Sequence, residues 1–496
     1  MGLTPTIIPN TWNPVNAEIW FSATASNSDL LGFKYIYTLN KIDKITGATT
    51  SLGIYKLPPR PDTSEGLFTP HKLLRSELSY DLAPFITTVN PATNSVIKYN
   101  LTYGYEEDTS IRYTNLQMAT APLAGHLLLD IPQVGLGFQN NDIITMAPDA
   151  PTFFDTSNNI QTYTGTHSVI DIVEAFGATF LALDTLFITA SVTPTYTPGT
   201  ITKLQRLNAA QSANYYGFNG TRQYEQIGVN FGSNYLTTTS NNGAALTNYT
   251  EFKSVYVNNY ETIHFLLDAP SFSSPSTHVW KINYNFYDST GALYATNTLN
   301  IATDVNMKMY MAPAGPQNLI DAGIRSDFDN IDHYSVALQY TDAFVPYNKW
   351  VKKFKLVDNC SPYPDNFRLA FQNRNGGFEY WNFNYRSTNT LTTSSTEWRK
   401  NLPYNYTIGD RQDSVLANKA VETWTISSDW ITAYDSSFLK EAVSTLEAFI
   451  VDETNKVFYP IILNADTYVV KTSIDNKLFA VSLNFKYAYD LNLQQN

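Results

Sequence analysis

Two stretches place a histidine and an aspartate four residues apart: "HLLLD", with His126 and Asp130, and "HFLLD", with His264 and Asp268. Residues i and i+4 of a strand share a face, so each aspartate could orient an imidazole for general-base work. That chemistry also needs a serine or cysteine nucleophile within reach. Neither stretch has one nearby, and packed or solvated strand residues are the simpler reading. The six histidines are scattered, and no two have metal-ligand spacing. The densest carboxylate run is "SDFDNIDH", where Asp327, Asp329 and Asp332 offer the oxygen ligands that calcium takes. It lacks the mid-loop glycine and terminal glutamate of an EF-hand and reads as a turn. Cys360 is the one cysteine, so no intramolecular disulfide can form, and its flank "VDNCSPYPDN" supplies no histidine partner. Gly135 and Gly137 in "VGLGFQNN" lack the third glycine and following helix of a dinucleotide site. GxSxG, GxxxxGK[ST], HExxH and CxxC are all absent. The 44 acidic residues make close carboxylate pairs inevitable, so nothing selects a glycosidase pair. The expectation is a protein that is not an enzyme, with no catalytic residues, no bound metal and no cofactor.

Composition points to surfaces and sheets. The 496 residues suggest about three domains at roughly 100–200 residues each. Hydrophobic residues make up 43% and aromatics 14%, mostly 34 Tyr and 28 Phe, which is ample for several cores. Charged residues reach only 15%, below the roughly 25% of ordinary globular domains. Thr, Asn and Ser fill the gap. Thr and Tyr suit half-buried pleated surfaces and Asn suits turns, and assemblies bury such aromatic-rich polar surface between subunits. The net charge is −12, with pI near 5.0. The short basic run "KWVKKFK" is no nucleic-acid stripe, so neither nucleic acid nor an anionic membrane is an expected partner. The N-terminus lacks a basic region and a long apolar core, which argues against a signal peptide. The Gly2 and Thr6 of "MGLTPT" match a myristoylation motif by coincidence. No stretch reaches about 18 apolar residues, the length a membrane-spanning helix needs.

Four regions follow from the pattern. Residues 1–112 read as an immunoglobulin-like β domain with a short helix at "TPHKLLRSELSYDL", Thr69 its N-cap and Pro70 its first residue. Residues 113–245 read as an irregular β-rich domain in which "SVIDIVEAF" suggests a helical turn, followed by a Tyr/Asn/Gly-rich arm over 211–245. Residues 246–357 read as a second immunoglobulin-like domain, with "DSTG" (288–291) as a hairpin turn. Its Tyr-rich hairpin echoes "FKYIYTLNKIDKITGATTSLGIYKL" and suggests a weak internal repeat. Residues 358–496 read as an α+β domain with one helix on an antiparallel sheet. The helix is "DSSFLKEAVSTLEA", capped by Asp435, Ser436 or Ser437, with Leu439, Ala442, Val443 and Leu446 on one face. Three strands follow: "FIVDETNKVFYPIILN", "DTYVVKTS" and "KLFAVSLNFKYAYD". The expected fold class is mainly β and multidomain.

The stretch "NRNGGFEYWNFNYRST" (373–388) concentrates aromatics around a turn. Asn375-Gly376 is a two-residue hairpin signal, because both positions tolerate positive φ. The reading is a structural hairpin between "FRLAFQ" and "FEYWNFNY", its aromatic-rich face toward a core and its mixed face toward an interface. If any residues contact a ligand or a neighbouring subunit, the candidates are Asn375, Gly376, Gly377, Phe378, Tyr380 and Trp381 here, and Tyr215, Tyr216, Phe218 and Tyr235 in the arm.

The runs "MAPAGPQNL", "HYSVALQY", "VDNCSPYPDNFRLAFQNRNGGFEYWNF" and "ETWTISSDWITAYDSSFLKEAVSTLEAFIVD…KVFYPIIL" resemble virion proteins of tailed bacteriophages, especially phages of Bacteroidota and marine bacteria. The resemblance covers residues 300–470, and "YIYTL…GIYKLPPRPDTSEGLFTPHKLLRSEL" fits the same group. It implies a structural subunit of a tail, baseplate or neck that forms a symmetric ring or collar. Such a subunit is made in the bacterial host cytoplasm, resides in the virion and has other virion proteins and copies of itself as partners. The alternative is a receptor- or glycan-binding fibre or adhesin module that stacks surface Tyr and Trp on a host surface glycan. A virion depolymerase would show β-solenoid repeats, which are missing.

Overall fold

Alternation of aromatic and polar residues builds the first core. In Lys34–Ile42, Tyr35, Tyr37 and Leu39 point one way, and in Val96–Met118 so do Ile97, Tyr99, Leu101, Tyr103 and Tyr105. The two strands pair antiparallel with Tyr35 opposite Tyr105 and Tyr37 opposite Tyr103. Phe21 and Phe68, from a three-stranded sheet of Leu3–Ile7, Phe21–Ala25 and Gly66–Phe68, close the core from the other side. Buried phenols need acceptors, and Tyr37 donates to the Gly66 carbonyl at 2.6 Å and Tyr35 to that of Ser64 at 2.8 Å.

A computed structural model of the chain describes residues 3–26, 28, 33–118, 126–131, 143–146, 152–154, 160–162, 165–175, 178–186, 197–222, 231–249, 252–268, 278–302, 308–342, 344–358, 366–464, 480–489 and 492–495. Cys360, the Gly135 and Gly137 pair, the strand expected at 466–473 and the middle of the arm, 223–230, lie outside the described residues. The architecture is mainly β and multidomain, with several sheets and four helices among the described residues.

The boundary expected at 112 falls inside the Val96–Met118 strand, which continues past the core to pair with Thr197–Gln211. The segment "SVIDIVEAF" is strand, part of Gly165–Ala175 paired with Ala178–Leu186, not a helical turn. Its four β-branched residues, Val169, Ile170, Ile172 and Val173, resist a helix and favour a pleated surface. The early helix is His71–Ser76, with Pro70 rather than Thr69 at its N-cap and no side-chain cap.

Residues 246–357 pack two sheets face to face around one core. A four-stranded sheet holds Leu236–Thr237, Thr262–Leu267, Met309–Pro313 and Asn90–Pro91. A five-stranded sheet holds Phe252–Val255, Val345–Leu356, His333–Asp342, His278–Tyr287 and Leu293–Asn300. Trp280, Ile282, Tyr284 and Phe286 alternate inward against Phe265, Tyr310 and Tyr334. The Asp288–Gly291 turn closes its hairpin, with Gly291 at φ +81°. Asn90–Pro91 comes from the N-terminal region, so the first unit is stitched into the later one.

The C-terminal sheet runs in the order Phe378–Phe383, Phe367–Gln372, Ala448–Asp452, Val457–Leu463, Ser482–Tyr487, Asp413–Ser427, Ser387–Arg399. The helix Ala433–Val443 packs on it through Phe438, Leu439 and Ala442. Its cap is Thr432, not Asp435, Ser436 or Ser437. Thr432 accepts from the Asp435 N–H, and Asp435 accepts in return, a reciprocal capping box. The helix ends at Val443, and Leu446 is exposed rather than on the packed face. Thr432→Ala is expected to lower stability by about 1 kcal/mol, read as a fall in the urea midpoint with an unchanged slope; a change under about 0.3 kcal/mol would show that the cap is immaterial.

Candidate functional site: a buried ionic junction, a groove and a projecting ribbon

The hairpin that drew attention in the sequence forms between Phe367–Gln372 and Phe378–Phe383, but its turn is not a two-residue one. The Gly376 N–H donates to the Asn373 carbonyl at 3.1 Å and the Asn373 N–H to the Gly377 carbonyl at 2.8 Å. Only Gly376 takes positive φ, +87°, so the loop is a turn followed by a left-handed residue rather than two left-handed residues in succession. The tip is not a surface loop. Asn375 is buried, and its amide donates to Asn248 Oδ1 at 2.6 Å. A Cβ on Gly377 would sit 2.4 Å from the Leu246 carbonyl oxygen.

Both faces of the second strand are covered. Trp381 and Phe383 face the helix side. Phe378 and Tyr380 face Leu82, Ala370, Phe449 and Val451. Tyr380 shares a 2.9 Å hydroxyl contact with Thr262 of the sandwich, so the mixed face is an interface within the chain. Of the arm residues, Tyr215–Phe218 is a strand paired with Val96–Met118 and with Trp12–Pro14, with Tyr215 and Phe218 buried and Tyr216 stacked on Trp12. Tyr235 closes the helix Phe231–Tyr235 and packs beside Trp12 and Phe218. The ten candidates are packed, none is on an exposed tip, and the two sets meet where a Cβ on Gly376 would sit 3.2 Å from the Phe218 ring and the Thr221 N–H donates to the Arg374 carbonyl at 2.8 Å.

What composition could not reveal is a set of ions at the junction of sandwich and C-terminal sheet. Lys253, only 4% exposed, bonds Glu261 and, at 3.0 Å, Glu379. Arg368 bonds Glu261 at 3.0 Å and the Tyr260 carbonyl at 3.2 Å, and approaches Glu453 at 3.7 Å. Neutral amides fill in: Asn373 donates to Glu379 at 3.1 Å and to the Leu246 carbonyl at 2.8 Å, and Asn318 accepts from the Glu261 N–H at 2.7 Å. Burial raises the Glu453 carboxyl, with Arg368 pulling the other way. Positive and negative members come from both units, so the cluster forms only when they dock.

His264 lies in the same junction. Its Nδ1 accepts from the Phe378 N–H at 3.3 Å, while Nε2 meets the Asp81 carbonyl at 3.2 Å, which fixes a neutral ring protonated at Nε2. Burial lowers its pKa. Asp268 does not orient it and pairs with Lys308 instead. Asp327 bonds Ser326 and pairs with Arg325, and Asp332 pairs with His333. No group of three His, Cys, Asp or Glu is placed to hold a metal ion among the described residues.

Beside the junction an open groove of about 410 Å³ runs between the sandwich and the start of the capped helix, bordered by Tyr256, Asp358, Trp381, Asn384, Asp429 and Trp430. Farther out, Ser387–Arg399 pairs with Asp413–Ser427 in a ribbon whose outer strand is exposed almost throughout. The inner strand is held at its root by Ser482–Tyr487 and midway by Asn492–Gln495. Beyond these the ribbon and its tip, 400–412, stand alone. Two successive turns shape the tip: the Tyr406 N–H donates to the Pro403 carbonyl at 3.1 Å, and the Asp410 N–H to that of Thr407 at 3.0 Å. The Asp410 carboxylate accepts from the Thr407 N–H at 2.6 Å and its hydroxyl at 3.1 Å, bonds that lower its pKa. These turns hold Tyr404 and Ile408 outward at 105% and 108% exposure. No helix among the described residues is long and apolar enough to cross a membrane.

No known protein-family model matches the chain, and no curated protein matches it.

Lys253→Met leaves Glu379 without its cation and Glu261 with Arg368 alone, and is expected to cost about 3–5 kcal/mol in urea unfolding of the full chain; a loss below 1 kcal/mol would mean that water reaches the cluster. His264 gives a pH dependence. Its folded pKa is depressed below the ordinary 6.5, so its stabilising contribution is full above that value and is lost as pH falls toward the folded pKa, because the unfolded chain takes up the proton first. The urea midpoint is expected to fall between pH 7 and 5.5, and His264→Gln to flatten that part of the profile. An unaltered slope in the variant would assign the dependence to other groups.

Proposed function

We propose that the chain is a structural subunit of a bacteriophage virion, a tail, baseplate or neck component that assembles into a symmetric oligomeric ring or collar. It is made in the host cytoplasm and resides in the virion, with immunoglobulin-like domains as spacers. The ribbon at 387–427 carries the reading. A two-stranded hairpin on its own is marginal in water, and contiguous exposed apolar surface marks an interaction site. This ribbon exposes Leu391, Trp398, Tyr404, Tyr406, Ile408 and Val415. Tip turns fixed in advance reduce the ordering cost of docking. A projecting arm received by a different surface of the next copy makes a head-to-tail contact, which closes into a ring when the rotation permits. The resemblance to tailed-phage virion proteins, the low charge and the absence of catalytic motifs support the same reading.

Light scattering with negative-stain imaging of the full-length protein is expected to give a particle of defined stoichiometry. Tyr404→Ser, Tyr406→Ser and Ile408→Ser together are expected to reduce it to monomer with the urea midpoint unchanged, since exposed substitutions usually stay within about 0.5 kcal/mol. A wild-type protein that stays monomeric at high concentration, or a triple variant that assembles as well as wild type, would count against the proposal.

A further inference from the structure

The groove beside the junction has no part in the assembly reading, and its lining is chemically selective. Its volume, about 410 Å³, falls in the roughly 300–1,000 Å³ range of small-molecule sites. Trp430 stands on its rim 62% exposed, the one large aromatic face offered to solvent there among the described residues. The backbone beneath the indole is held, because the Trp430 main-chain N–H donates to Asp429 Oδ1 at 2.7 Å. Opposite lie Tyr256 and Trp381, each 8% exposed, with Asn384 bonded to the Tyr256 hydroxyl at 2.5 Å. The neighbouring Asn382 donates to Asn259 at 2.7 Å, yet its buried Oδ1 has no hydrogen-bond partner among the described residues, an acceptor the chain leaves unused. The carboxylates of Asp358 and Asp429 are exposed at the groove.

No lysine, arginine or histidine lines the groove among the described residues. Phosphates, nucleotides and acidic sugars would meet three aspartates, Asp358, Asp429 and Asp435, with no counter-charge, and are disfavoured. A quaternary ammonium would need several aromatic faces around it, and only Trp430 presents one. What remains is a ligand with a flat apolar face and many hydroxyl donors. We propose that this groove binds a neutral saccharide, with a pyranose ring stacked on the Trp430 indole and ring hydroxyls donating to the Asp358 and Asp429 carboxylates. The site shares Trp381 with the hairpin singled out in the sequence, takes its stacking face from Trp430 outside that stretch, and is independent of how the chain assembles.

The test uses the full-length protein and saturation-transfer NMR with cellobiose, maltose, lactose, mannobiose, xylobiose and N,N′-diacetylchitobiose. Glucose 6-phosphate and choline chloride serve as charged controls. At least one neutral sugar is expected to bind, with Trp430→Ala weakening it tenfold or more, Asp429→Asn weakening it severalfold, and Trp398→Ala, on the ribbon, leaving it unchanged. The proposal is overturned if none of the neutral sugars binds, if choline or the sugar phosphate binds as tightly, or if Trp430→Ala binds like wild type. Trp430 is exposed, so its removal leaves the fold intact. The light-scattering mass of the variant checks this and should equal that of wild type, which keeps failure of this site distinct from failure of the assembly reading.

Discussion

The placement of Lys253, Glu261, Arg368 and Glu379 in a buried junction constrains everything around it. An ion taken out of water loses several kcal/mol of solvation, and its partner recovers that only in good geometry with the remaining donors and acceptors filled. Here each unit brings charges that the other neutralises: Lys253 and Glu261 from the sandwich, Arg368 and Glu379 from the C-terminal sheet. Apolar surfaces alone would allow the two units to slide against each other. Four charges and the amides of Asn318 and Asn373 admit one register, because a displacement of a few ångströms would strand an ion without its partner. The depth of the Asn373–Gly377 turn follows from this, since the turn must pass under Leu246 to bring Glu379 to Lys253.

The same economy of charge explains the tyrosines. A sandwich core built from leucine would need no acceptors but would carry no polar information. Tyr284 and Tyr334 fill the core and also donate to the Pro313 and Ala314 carbonyls at 2.9 and 2.7 Å, tying one sheet of the sandwich to the strand end of the other. Low charge content and high tyrosine content are thus two sides of one construction, in which phenol hydroxyls perform crosslinking that ion pairs perform elsewhere.

Local chemistry was legible in the sequence, and long-range chemistry was not. The 3.6-residue period and the polar residues ahead of it located the Ala433–Val443 helix, although the Thr432 cap lies three residues before Asp435, the first of the expected caps. The Asp288–Gly291 turn and the 367–383 hairpin could be read from glycine and alternation. The burial of Lys253 or Glu379 could not, because a lone charged residue on a strand ordinarily marks the solvated face, and only the docking of a second unit more than a hundred residues away reverses that. Asn375 misled for the same reason: turn residues signal a surface, and here a second surface closes over the turn. Trp430 carries no signal of its own in the sequence, because its surroundings depend on Tyr256 and Asp358, distant in the chain, forming the facing wall.

The root of the ribbon has a mechanical consequence. Asp413–Ser427 is one strand, paired at its outer end with Ser387–Arg399 alone and hydrogen-bonded across Thr423–Ser427 to Ser482–Tyr487 at its inner end. A pull on the tip along the ribbon axis reaches that root parallel to the strand. It loads the rungs Thr423 to Lys486 through Ser427 to Ser482 together, in shear, instead of peeling them one after another. A tether built this way yields only when all of its rungs fail at once, whereas the same bonds set perpendicular to the load would open like a zip. A subunit gripping its neighbour through this arm would therefore sustain tension along the arm and release readily when the arm is levered sideways.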